Sequence, residues 1–176
     1  MGSGGVIAAA ALAGVVAAGA GGLAAPEDPD EMWRDRGLRV VDRASRADGE
    51  CVPHSFGQVQ ELLRAVPCVA LDRMLLTVTD DEGGTAVVFV AWVEFADRDQ
   101  AREFKRLEDV HGTGDITPLS GSLLQVAEVP FTALNYDSDV VDGVTVVIAE
   151  AENVAGGFTA EYLDDIAAIA VDTPRP

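Results

Sequence analysis

Cys51 and Cys68 are the only cysteines in the chain, and they stand on either side of the stretch VPHSFGQVQELLRAVP. Such a pair can form a disulfide, supply two of a metal's ligands, or persist as two reduced thiols, at least one of them buried. A helix over Ser55–Ala65 would be about 16 Å long at about 1.5 Å per residue, whereas a disulfide needs Cα atoms about 4.4–6.8 Å apart. The flanks must therefore double back. Residues 51–54 can return roughly 13 Å at about 3.3 Å each, and residues 66–68 most of the rest. Zinc fits less well: it takes four ligands, the spacing of Cys51, His54 and Cys68 matches none of its usual sets, and His111 would have to come from elsewhere. A bridge between Cys51 and Cys68 is expected, and it favours an oxidising compartment.

The carboxylates offer two other chemistries. DSDVVDG, with Asp137, Asp139 and Asp142, partly follows the calcium-loop rule of acids at alternate positions before a glycine. Its third acid falls one residue late and the twelfth position is Ile148, so an acidic hairpin turn is the favoured reading and a weak calcium site the rival. Glu94, Glu150 and Glu152 fall in strand-like runs. Glu150 and Glu152, two apart, share one face of a strand and could do acid–base work if they lined a cleft; the plainer expectation is the wet face of a sheet.

Other motifs point to structure. HGTGD (residues 111–115) carries its glycines after a helix, whereas a phosphate loop needs them leading into a helix N-terminus; it reads as a C-cap. PLSGS is no Gly-x-Ser-x-Gly elbow. No catalytic set, metal or cofactor is expected. Trp33, Trp92 and Tyr136 could serve a binding surface, although Trp92 lies inside an apolar run and belongs in a core.

The net charge of the whole chain is −18. Such a field repels nucleic acid and anionic lipid. Residues 1–25 include GGVIAAAALAGVVAAGAGGLAA, an uncharged leader that reads as a membrane anchor or a signal peptide. The arginines Arg34, Arg36, Arg39, Arg43 and Arg46 follow it closely, and the positive-inside rule would hold them in the cytoplasm. The cysteine pair argues the other way.

Residues 26–50 are charged and punctuated by Pro and Gly, so they read as a linker, although GLRVVDR could be a first strand. Residues 51–173 read as one globular domain. Ser55 with Gln58 has the capping-box pattern for the helix between the cysteines. RMLLTVTD and TAVVFVAWVEF read as strands joined at DDEGG, the second apolar on both faces and hence central. Asp97 caps a helix carrying Ala101, Phe104, Leu107 and Val110. DITPLSGSLLQVAEVP is an irregular connection, FTALNY and GVTVVIAEAE form a second hairpin, and Thr159 opens a last helix. The expected fold is α+β: an antiparallel sheet of four or five strands with helices packed on one face. With LRVV as a strand, the order β-α-β-β-α-β is the ferredoxin-like pattern, and the second hairpin adds a strand.

HSFGQVQELLRAVPC, AWVEF, HGTGDITPL and VVIAEAE, spread over residues 50–170, resemble a group of small uncharacterised actinobacterial proteins that are membrane-associated or secreted. The resemblance implies an extracytoplasmic setting and carries no activity. The functional expectation is a non-enzymatic extracytoplasmic domain, tethered through the leader or secreted, that binds a protein or cell-envelope partner and no nucleic acid. A small-ligand or lipid carrier with an apolar pocket is the alternative, and a carboxylate-based enzyme the third.

Overall fold

The computed structural model describes residues 28–126 and 128–176; the leader lies outside them. In chain order the elements are α1 (Glu31–Arg34), β1 (Arg39–Asp48), α2 (Gly57–Ala65), β2 (Ala70–Thr79), β3 (Thr85–Glu94), α3 (Arg98–Glu108), β4 (Tyr136–Val141), β5 (Thr145–Ala155) and α4 (Ala160–Ala170). Short 3-10 turns cover Val52–His54 and Gly121–Leu124.

The five strands form one antiparallel sheet in the order β1-β2-β3-β5-β4. β3 is central, as its apolarity on both faces requires, and all but its end residues are buried. Alternation along the strands sorts their side chains into two cores. On one face Met74, Leu76, Val88, Val90, Trp92 and Ala149 pack against Leu163, Ile166 and Ala170 of α4 and against Trp33 of α1. On the other, Leu71, Leu75, Phe89, Val93, Val146 and Ile148 meet Val59 and Leu63 of α2 and Ala101 and Phe104 of α3.

Two helices start as their sequences demand. The Asp97 carboxylate accepts hydrogen bonds from the backbone N–H groups of Asp99 and Gln100, and the Thr159 hydroxyl accepts one from Tyr162 N–H.

The α+β class with a five-stranded antiparallel sheet agrees with the expectation. Four details depart from it. The helices cover both faces, because every interior strand is apolar on both sides and one helical layer would leave the other side wet. The connectivity is not ferredoxin-like: β1 and β2, joined through α2, are antiparallel neighbours, where a split βαβ unit keeps such strands parallel with another between them. Residues 28–48 are not a linker either. Trp33 and Leu38 are fully buried and β1 pairs with β2 along its whole length. Being an edge strand, β1 is mostly exposed and charged, which hid it in the sequence. The second hairpin is likewise shifted: DSDVV itself forms β4, and FTALN is loop.

Candidate functional site

On the α2/α3 side of the sheet, β5 presents Val146, Ile148, Glu150 and Glu152 in turn. Register puts Glu150 between Phe89 of β3 and Tyr136 of β4, and Glu152 beside Val87. The helices cover the Val146 end of this row. The Glu150 end is roofed by the long connection between α3 and β4, which the chain fastens at several points. Glu150 Oε2 accepts a hydrogen bond from Ala133 N–H at 2.6 Å. Glu152 Oε1 accepts from the hydroxyl of Thr132 at 2.6 Å and from its N–H at 3.2 Å. The Phe131 ring tilts against Phe89 with centroids 5.9 Å apart.

The start of that connection is HGTGD, which caps two helices at once. The Thr113 hydroxyl donates to the carbonyls of Leu107 and Val110, closing the end of α3. The Thr113 carbonyl accepts from Gln58 N–H at 2.6 Å, closing the start of α2. Ser55 therefore does not cap α2 with its side chain; its hydroxyl donates to the Val52 carbonyl instead. The double cap needs two backbones in contact. Gly57 and Gly114 both have positive φ, and a Cβ on Gly114 would collide with the Phe56 carbonyl. The next residue, Asp115, is thereby fixed facing Glu150, with its Oδ1 accepting from Ile116 N–H at 2.6 Å.

Between roof and sheet lies a cavity of about 560 Å³. Leu75 and Val87 line it from the sheet, Phe56 from the start of α2, and Leu119, Val129 and Phe131 from the roof. It opens to solvent at a rim that includes His111, Ser120, Thr132 and Phe56, the last 52% exposed. Asp115 and Glu150 are its buried polar wall, 7% and 3% exposed. Burial, and then the Asp115 charge, pushes Glu150 up to about 8. Burial pushes Asp115 up to about 6, opposed by the hydrogen bond from Ile116 N–H. Burial, with repulsion from Asp115 adding to it at Glu150, thus raises both carboxyls above the ordinary range and favours a proton on the pair. Behind it Glu108 of α3, 6% exposed, has a buried Oε1 with no hydrogen-bond partner. Burial raises its carboxyl to about 10, and the charges of Asp115, Glu150 and Asp109 add to the shift.

The residues singled out in the sequence fall as follows. Glu150 reaches the cavity, while Glu152, on the same row, is engaged by Thr132 at the roof's edge and does not line it. Asp137, Asp139 and Asp142 do not converge. Asp137 and Asp139 accept from the N–H of the next residue, and Asp142 holds the β4–β5 turn through Val144 N–H and Thr145 N–H. Among the described residues, no three His, Cys, Asp or Glu side chains are gathered as metal ligands. Trp33 is core rather than surface. Cys51 and Cys68 sit at disulfide distance, with Cα atoms 6.1 Å apart, and the turn they enclose carries Phe56 to the cavity. His54 is no zinc ligand: its Nε2 lies 3.2 Å from Asp48 Oδ1 and its Nδ1 3.2 Å from Arg73, which also binds Asp48 and the Thr117 carbonyl. This group, with Arg73 buried and Asp48 and His54 half-buried, ties β1, β2 and the cysteine turn to the roof.

Sequence reasoning raised an apolar pocket only as an alternative, placed Asp115 in a helix cap, and did not single out Glu108. One signal was present: an apolar connection of more than about 15 residues in a compact domain is uncommon unless it is functional. No protein-family model matches this chain, and no curated protein or solved structure matches it significantly. No helix among the described residues is long and apolar enough to cross a membrane.

Proposed function

We propose that this chain is a non-enzymatic binding domain of the extracytoplasmic space, which takes a small, largely apolar molecule or cell-envelope component into the cavity beneath the α3–β4 roof. The observation that carries the reading is the cavity itself. About 560 Å³ lies within the range of small-molecule sites, with mostly apolar walls and a few convergent polar groups. The cysteines at disulfide distance support the oxidising setting. A second reading, acid–base catalysis on the bound molecule, is favoured by the carboxyl pair of Asp115 and Glu150.

The test is titration of the full chain with the neutral dye N-phenyl-1-naphthylamine, beside Val87→Phe, which places a ring in the cavity. Enhanced dye fluorescence in the wild type, lost in a variant that melts normally, supports a ligand site. No enhancement in the wild type, or equal enhancement in both, removes it. Recovery of an authentic ligand unchanged after prolonged incubation favours binding; its conversion favours catalysis.

A further inference from the structure

We propose that the ligand is an apolar molecule bearing a primary amine or similarly compact cation, seated with its charge on the Asp115–Glu150 pair; this rests on the reading of the cavity as a ligand site. Both carboxyls line the cavity and both are more than nine-tenths buried. Beyond Ile116 N–H and Ala133 N–H, these carboxyls have no hydrogen-bond partner among the described residues. No ion pair among those residues includes Glu108, Asp115 or Glu150. A buried carboxylate without a counter-charge is costly, so the cavity holds a standing demand for a cation.

The groups facing the pair sharpen this demand. From α3 come Glu108, with its unpartnered oxygen, and Asp109, whose carboxylate is taken by Lys105. From β4 comes Tyr136, and from β5 Glu152. From the roof come His111 and Glu128. His111 is the only basic residue in the lining, and it stands at the exposed rim. Lys105, the only lysine in the sequence, is spent on Asp109 and Ser138. An anionic head group would meet the carboxyls of Asp115, Glu150 and Glu128 in the lining. A hydroxyl would leave the Asp115 charge unpaired. An ammonium group supplies the missing counter-charge.

Calorimetric titration of the full chain with n-octylamine, n-octanol and octanoate separates the possibilities. Octylamine is expected to bind about tenfold tighter than octanol, the difference between a charge-assisted and a neutral hydrogen bond. Its affinity falls as pH is lowered from 8 to 6, through the titration of the pair, while that of octanol does not. In Asp115→Asn/Glu150→Gln the preference disappears while octanol still binds, which also shows that the variant is folded. Octanol or octanoate binding as tightly as the amine overturns the cation assignment and leaves the cavity reading intact. Failure of all three probes removes both.

Discussion

Glu108 shows what a single carboxyl contributes to this fold. It is buried, has an unpartnered oxygen, and is raised to about 10, with Glu150 raised to about 8 and Asp115 to about 6. Each folded value lies above that of the unfolded chain, so over the interval between the two the folded protein binds more protons. Stability then falls as pH rises through that interval. This protein should therefore gain stability as pH is lowered from 8 towards 5, by about 1 kcal/mol per pH unit from each of Glu108 and Glu150, with Asp115 adding to the slope only below about 6. Urea unfolding across that range measures the slope. Glu108→Gln should flatten it while leaving the molecule folded at neutral pH, and an unchanged slope would remove Glu108 from the account. Of these three, Glu150 alone was legible in the sequence, as a carboxyl in an apolar strand. Asp115 was read as the tail of a helix cap, and it is one; that the cap also delivers it to Glu150 depends on the Gly57–Gly114 contact, which no local pattern records.

The elements around the cavity are held by two fasteners, one covalent and one not. The turn between Cys51 and Cys68 carries Phe56 and the start of α2, and closing a loop of this size contributes about 3 kcal/mol in the chain-entropy account. Cys51→Ser/Cys68→Ser should therefore lose about that much in equilibrium unfolding, and a variant as stable as the parent would show that the link constrains little. Under denaturing conditions, maleimide should label no cysteine without reductant and both with it. The other fastener is the backbone crossing. Gly114→Ala combines a φ of +112° with a collision against the Phe56 carbonyl, so a loss on the order of 1–3 kcal/mol or more is expected. The disulfide spacing could be worked out from chain geometry alone. The crossing could not, because its partners lie on separate elements and are fixed only once α2 and α3 share a face of the sheet.

For the molecule as a whole, the boundary of the folded unit is the sharpest correction to the sequence reading. A strand with no fully buried residue, and with Arg39, Asp42, Arg43 and Arg46 along it, has the composition of a linker. The evidence for its place in the fold lay in Trp33 and Leu38 just before it, two large apolar residues in a polar stretch, both now fully buried. Trp33→Ala should cost about 3–5 kcal/mol, as truncation of a core aromatic does; a loss under 1 kcal/mol would return the segment to the status of an appendage. The net charge of −18 acts on the same scale. Added salt screens its self-repulsion and should raise Tm.

β1 is also where the sheet stops, since no further strand pairs with it among the described residues. A flat, greasy border of that length would invite a neighbouring copy to dock rung by rung and grow into fibrils. Guanidinium and carboxylate groups project from both sides of this one, and a newcomer would have to strip their hydration before its first rung closed. The polar sequence that disguised the strand is thus the same property that guards the molecule against polymerising along it.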